Sequence, residues 1–323
     1  MKRRQFLQNS TALVGAFHSV QLHELNHMGT TMFPAADDVV TRHVGNIKTT
    51  IYKDTTHKYM AKNYFINAAP EELTQALTKY QITPDNIPSP FIAVLLEQGD
   101  KRILIDTGLG FSEKPVMVGN NPVPLNGRLN QLLQQQGIKG SDITDVVITH
   151  LHPDHIGGVY SDEGALLFPN ARFHIHEDEW SYWFSSQSVN QPAHFRFFID
   201  RNVAKLKDGN LHLIKGDFVD LLPGVTAVKA EGHTPGQLAL IIHSQNDRML
   251  YTSDAFLHPI HIERLDWQTS YDLDHAKARQ TRMKLLDLAH KDNMLVNAFH
   301  FDFPGLGRVD KTNNNWTWRY TNK

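Results

Sequence analysis

The amino-acid sequence predicts one mixed α/β domain over residues 36–323, preceded by a leader over residues 1–35. Three observations carry this. Short apolar runs alternate with amphipathic stretches from about Val39 onward. No repeat, low-complexity tract or Pro/Ser-rich linker divides them. At 323 residues the chain is long enough to bury a substantial core. Strands are expected at residues 91–97, 102–106, 145–149, 172–176, 226–231, 238–243, 249–252 and 294–298, each rich in Ile, Val, Leu or Phe and bounded by Gly, Pro, Asp or Asn. A helix is expected at 70–80, where Pro70 suits the first helical position, and another at 125–136, stopped by Gly137. A longer helix is expected at 275–290, where Met283, Leu286 and Ala289 recur at helical spacing. The aromatic-rich stretch 177–198 also reads as helical.

Composition narrows the function classes. Lys and Arg total 32 against 34 Asp and Glu, so no overall basic field draws the chain to nucleic acid. Apolar residues at 41% and charged residues at 20% fit a globular domain rather than one inserted in a membrane. The absence of cysteine excludes disulfides, thiolate ligands and a cysteine nucleophile. The first residues pair Arg3 with Arg4, followed by Phe6-Leu7 and an apolar stretch over 12–17 too short to span a bilayer. They resemble a twin-arginine export signal, which implies a periplasmic or secreted protein; a frayed basic terminus on a cytoplasmic protein is the alternative.

The chemistry concentrates in Thr149-His150-Leu151-His152-Pro153-Asp154-His155, directly after an apolar run and followed by Gly157-Gly158. Imidazole nitrogen and carboxylate oxygen are ordinary ligands of zinc. In an extended or tightly turned segment His150 and His152 project to one side and reach one ion, leaving Asp154 and His155 to face a second. A single H-x-H is more often a polar loop capping backbone groups, but this density outweighs that reading. Further strand ends carry matching side chains: Asp106, His233 in Gly232-His233-Thr234-Pro235-Gly236, Asp254 and His300. A second H-x-H, His174 and His176, precedes Glu177-Asp178-Glu179 and reads as turn capping or a solvated face.

His150-x-His152-x-Asp154-His155, the Gly-His233-Thr-Pro-Gly element, Asp254 and His300, in that order, resemble the metallo-β-lactamase superfamily from about Val39 to the end. The resemblance implies an α+β fold, a four-layer αβ/βα sandwich with metals at one sheet edge. It further implies that His150, His152 and His233 hold one ion, that Asp154, His155 and His300 hold another, and that Asp254 bridges them. Asp106 matches a residue that supports the metal loops from behind. His300-Phe-Asp-Phe-Pro-Gly-Leu-Gly307 and Gly127-Arg128-Leu129 resemble the subgroup holding methyl parathion hydrolase and related lactonases and arylesterases, among which homodimers are common. One departure stands out: many relatives place histidine where Gln237 stands, behind the ligands.

A cage of this kind implies two divalent metal ions, Zn2+ by default for an all-nitrogen-and-oxygen donor set, about 3.5–4 Å apart and sharing a hydroxide. The expected activity is hydrolysis of an ester, lactone or phosphotriester bond in a small apolar or aromatic substrate. Asp254 sets the metal separation, and Asp154 orients the hydroxide or passes its proton on. Trp180, Trp183, Phe197, Phe256 and His258 are candidates for the substrate wall, against the plainer reading that such aromatics pack the core and that His258 is an exposed loop residue. Rival readings are a thioesterase of the type II glyoxalase kind, a β-lactamase, an iron-dependent oxidoreductase and a metal-binding sensor without turnover.

Overall fold

Why five strand ends meet becomes clear from the sheet order. The computed structural model describes residues 38–313 and 315–321; the leader expected over 1–35 lies outside the described residues. The chain enters through β1 (Val39–Val44) and β2 (Ile47–Tyr59), crosses the short α1 (Ala61–Tyr64) and α2 (Pro70–Lys79), and returns through β3 (Ile87–Gln98) and β4 (Lys101–Ile105). A hairpin, β5 (Val116–Val118) with β6 (Asn121–Val123), leads into α3 (Leu129–Gln135) and β7 (Asp145–Val147). After the single-turn α4 (Pro153–Ile156) come β8 (Arg172–His176), α5 (Glu177–Trp183), α6 (Ala193–Asn202) and β9 (Leu211–Ile214). The second half runs β10 (Phe218–Leu222), β11 (Val225–Lys229), β12 (Leu238–Ser244) and β13 (Asp247–Tyr251), then α7 (Ile260–Glu263) and α8 (His275–Lys291). It closes with β14 (Leu295–Asn297), β15 (Leu306–Thr312) and β16 (Asn315–Tyr320).

These strands form two seven-stranded sheets, ordered β1-β2-β3-β4-β7-β8-β9 and β10-β11-β12-β13-β14-β15-β16. Alternation along β12 shows how they pack. Leu238, Leu240 and Ile242 join a core shared with Val94 and Leu104 of the first sheet, whereas Ala239 and Ile241 face the other way, towards Leu285, Leu286 and Ala289 of α8. The layers are therefore helix, sheet, sheet, helix, as the resemblance implied. Burying each such leucine contributes about 2 kcal/mol. Helix α8 starts where Asp274 accepts the Lys277 N–H at 3.0 Å, an N-cap that satisfies one otherwise unpaired donor.

Strands β4, β7, β8 and β9 run parallel to one another, and so do β13 and β14. The C-terminal ends of β4 and β7 therefore share one pole. At that pole the Leu238 N–H donates to the Thr149 carbonyl at 2.9 Å and ties one sheet to the other.

Some boundaries differ from expectation. The stretch 177–198 is not one helix: α5 ends at Trp183, Ser185 caps a separate 3-10 turn over Ser186–Ser188, and α6 starts after Pro192, which has no N–H to carry a helix through that point. Helix α3 begins at Leu129, not at residue 125, since the preceding residues wrap a buried carboxylate. That carboxylate, Asp54 on β2, accepts the Arg128 and Leu129 N–H groups at 2.7 Å each and the Leu109 N–H at 2.9 Å. A Cβ at Gly127 would lie 2.7 Å from Asp54 Oδ2, which explains the glycine in Gly127-Arg128-Leu129. The β1–β2 pair, β9, β10 and the β15–β16 pair were not apparent from patterning alone, being polar, short or at sheet edges. Among the described residues, no helix is long and apolar enough to cross a membrane.

Candidate metal centre

Every predicted ligand follows a strand: His150, His152, Asp154 and His155 lie beyond β7, His233 beyond β11, Asp254 beyond β13 and His300 beyond β14. The turn after β7 can be tight because Gly157 and Gly158 press on the neighbouring backbone; a Cβ at either would stand 1.9 Å from the Leu109 carbonyl oxygen or 2.2 Å from that of Thr107. The loop carrying His300 is closed by the Asn297 side chain, which donates to the Pro304 carbonyl at 2.8 Å, and by the Ala298 N–H, which donates to the Gly305 carbonyl at 2.9 Å.

All seven side chains are buried and converge. Ligand atoms of His150, His152 and His233 lie within 4.8 Å of one another, as do those of Asp154, Asp254 and His300. His155, expected in the second trio, stands with His150 and Asp254 in a third group, although its Nε2 is also 3.8 Å from Asp154 Oδ2. Asp254 spans the set. Its Oδ1 lies 3.3 Å from His155 Nε2, and its Oδ2 lies 3.1 Å from His300 Nε2, 3.6 Å from His233 Nε2 and 4.0 Å from His150 Nε2.

Electrostatics bear on what the cage could hold. Burial, reinforced by neighbouring imidazoles, pushes His150 and His152 well below the ordinary histidine pKa, so both offer neutral lone pairs. Burial alone would raise Asp254, but the His300 and His155 imidazoles outweigh it and hold the carboxylate ionised. Burial would likewise lower His155, yet Asp106 and Asp254 raise it well above its usual value. His150 Nε2, His155 Nε2 and Asp254 Oδ1 are buried without a hydrogen-bond partner among the described residues. Polar atoms without hydrogen bonds are costly in a protein interior; His155 Nε2 and Asp254 Oδ1 offset part of that as an ion pair at 3.3 Å, and the group of three fits a cation.

Behind the seven converging side chains lies a set of buried carboxylates. Asp106, in the left-handed region at φ 59°, accepts from His155 Nδ1, from the Tyr251 hydroxyl (2.9 Å each) and from the Thr149 N–H at 2.8 Å. It thus orients His155 and does not itself join the cage. Sequence patterning did not point to the other two. Asp272 stands 3.2 Å from His233 Nδ1 and receives the buried Arg282 guanidinium at 2.7 Å. Glu179 accepts the Leu151 N–H at 2.9 Å, the Trp183 indole at 2.7 Å and the Gly236 N–H at 3.0 Å, locking two ligand loops together. Glu179 is fully buried, and so are His174 and His176, which were read as turn capping or a solvated face; His176 does cap α5, accepting the Asp178 N–H at 3.1 Å. The only sequence signal for Glu179 was its place one turn before Trp183, at i and i+4.

The aromatic candidates divide. Phe195 stacks on His152, centroids 4.6 Å apart at 11°, while Tyr59 and Phe91 stand edge-on to His300. Phe197 instead packs on Phe198, and Trp180 stacks on Phe184. Trp183 is buried, edge-on to His152 with ring centroids 6.0 Å apart, and its indole N–H donates to Glu179. Phe256 belongs to the core under α8.

His258 is buried rather than exposed, its ring packed on Tyr80 and Phe65 because the chain folds under α2 there. Burial depresses its pKa to about 3, and its Nδ1 accepts the Ile260 N–H. The neutral form is favoured in the fold, so its contribution to stability is complete above about pH 6.5 and is lost as pH falls towards 3. The unfolding free energy in urea should therefore fall by about 1.4 kcal/mol per pH unit below about pH 6 relative to His258→Phe. Parallel curves for the two proteins would refute this.

Gln237 is fully buried, and neither end of its amide finds a hydrogen-bond partner among the described residues. Gln237→Met keeps the volume and removes two unsatisfied groups, so it should be neutral or stabilising by up to about 2 kcal/mol. A thermal midpoint clearly below that of the parent would show the amide to be satisfied.

Comparison with known proteins agrees with this geometry. The model of the metallo-beta-lactamase superfamily matches residues 93–297. The N-acyl homoserine lactonase AiiA of Bacillus thuringiensis subsp. kurstaki is 28% identical over 211 residues, spanning 60% of this chain and 75% of that protein. A probable metallo-hydrolase of Mycobacterium tuberculosis is 26% identical over 235 residues, 64% of this chain and 73% of its own length. Among solved structures, the hydrolase AbOPH superposes with a TM-score of 0.78 at 23% identity, covering 90% of this chain and 99% of that one. The dizinc quorum-quenching lactonase AidC superposes with a TM-score of 0.77 at 24% identity, covering 88% and 98%. These two share the fold. With the family model matched over residues 93–297 and the ligand motifs gathered at one pole, the chain belongs to the metallo-beta-lactamase superfamily.

Proposed function

We propose that the chain is a metal-dependent hydrolase that opens lactone rings carrying an apolar acyl group, with N-acyl homoserine lactones as the first substrates to try. The observation that supports it most is Asp254, whose two oxygens face separate imidazoles of one cage and which therefore suits a binuclear centre, Zn2+ by default. Kinship to a lactonase at 28% identity directs the choice among ester, lactone and phosphotriester bonds.

Divalent ions bound here would polarise a substrate carbonyl and lower the pKa of water towards 7. The chain's own contributions follow from position. Asp254 keeps the two ligand groups at a set separation. Asp154 has 9% of its surface exposed, and its Oδ2 lies 3.6 Å from His300 Nε2. We assign it to orienting a water and carrying a proton at that oxygen to the departing alkoxide. Phe195, on His152, provides an apolar wall for an acyl chain, and Tyr59 stands across the cage beside His300.

Metal-replete protein should be assayed against N-acyl homoserine lactones, other lactones, aryl esters, thioesters, phosphotriesters and β-lactams, with elemental analysis of the same sample. Lactones should lead by at least about tenfold in kcat/KM, roughly 1.4 kcal/mol of transition-state preference. Preference for thioesters or β-lactams, or iron in place of zinc with redox turnover, would overturn the proposal. Export through the twin-arginine-type leader and a homodimeric state belong to the same proposal; cell fractionation and light scattering test them.

A further inference from the structure

The second H-x-H of the sequence leads to the opposite pole of the first sheet. His174 in β8 and His212 in β9 stand opposite each other in register, and Asp145, which opens the neighbouring parallel strand β7, is two residues below in register, opposite Arg172. His174 Nε2 lies 2.9 Å from Asp145 Oδ1, and His174 Nδ1 lies 2.9 Å from His212 Nδ1. A carboxylate only accepts, so His174 donates through Nε2, and its Nδ1 carries a lone pair when the ring is neutral. That lone pair points at His212. Either His212 places a proton between the two nitrogens, or its own lone pair faces the first.

The second arrangement is a pair of ligands with one histidine already oriented by a carboxylate, the pattern that fixes ring and tautomer in metal sites. Two nitrogens on a tetrahedral ion at about 2.0–2.1 Å stand about 3.3 Å apart. A small ring rotation from 2.9 Å supplies that. The pair lines an open cleft of about 600 Å3 together with Asn170, Asn210, Lys101 and Arg172, roomy enough for water to complete the coordination. Lys101 Nζ is engaged 3.3 Å from Asp145 Oδ2, and Arg172 is exposed at the cleft, where its charge acts on His212.

We infer that His174 and His212 form a second, peripheral site for a transition-metal dication of the zinc and copper class, with Asp145 as the residue that orients His174. The site is independent of the cage at the other pole. A bound ion cross-links β8 to β9 and so stiffens the end of the sheet.

The test uses full-length protein loaded with zinc and freed of excess, then titrated with Zn2+ by calorimetry and followed by thermal unfolding. The parent should take up one equivalent more than His212→Gln, and only the parent should gain thermal stability from added zinc. Asp145→Asn should bind that equivalent at least about tenfold more weakly. Hydrolytic activity should be the same in the parent and in His212→Gln. Equal stoichiometry and equal thermal shifts in parent and His212→Gln overturn the inference. A pH-dependent stability difference between them without any zinc-dependent one also overturns it, since the pair then shares only a proton. Because the reading is a difference between two proteins with the same cage, it stands or falls separately from the proposed catalysis.

Discussion

Asp254→Ala is expected to lower kcat/KM on the best lactone by at least about 10³-fold, roughly 4 kcal/mol of transition-state stabilisation, and to reduce the metal content of the purified protein. The size of the effect follows from geometry. Among the described residues, no other side chain in the cage places one oxygen within 3.3 Å of His155 Nε2 and the other within 3.1 Å of His300 Nε2. Removing it leaves the five imidazoles of the cage with Asp154 as the one remaining carboxylate among them. Asp254→Asn, which keeps the shape but not the charge, separates folding from chemistry: it should fold normally, bind less metal and be nearly as inactive as the alanine variant. Full metal stoichiometry with undiminished turnover in either protein would refute the bridging role.

Arg282→Ala should produce the largest loss of stability, about 3–5 kcal/mol, lowering the thermal midpoint by on the order of 10 °C. The guanidinium is buried in α8, donating to the Ala255 carbonyl at 2.7 Å, to the Trp267 carbonyl at 3.2 Å and to Asp272 at 2.7 Å. Without it two carbonyls lose their donor, and the Asp272 carboxylate stays buried with His233, at 3.2 Å, as its remaining ion-pair partner among the described residues. Burial alone would raise Asp272, but Arg282, then His233, hold it below the usual carboxylate value. Its contribution to stability is accordingly full above about pH 4 and lost only in stronger acid. Arg282→Met, which restores volume without charge, should recover little of the loss. Because Asp272 orients His233, both variants should also bind metal about 10–100-fold more weakly. A variant as stable as the parent, with unchanged affinity, would remove Arg282 from this account.

The seven residues that converge in the cage were legible in the sequence because their chemistry is local. A histidine or aspartate immediately after an apolar run sits at a strand end whatever the rest of the fold does, and parallel strands bring such ends together. The helices with clear punctuation, Pro70 opening α2 and Asp274 capping α8, were legible for the same reason. Glu179, Asp272, Arg282 and Asp54 were not. Each is a charged residue that a single sequence assigns to the surface, and each is buried only because its partners arrive from distant segments: Leu151 and Gly236 for Glu179, His233 for Asp272, Ala255 and Trp267 for Arg282. The same holds for the aromatics, where packing, and not spacing, put Phe195 rather than Phe197 against His152. Sequence alone thus points to which side chains could hold a cation, since residue type and strand-end position are short-range properties. Which carboxylates stand behind those atoms, and which rings wall the space above them, is decided by long-range contacts that exist only once both sheets have closed on each other.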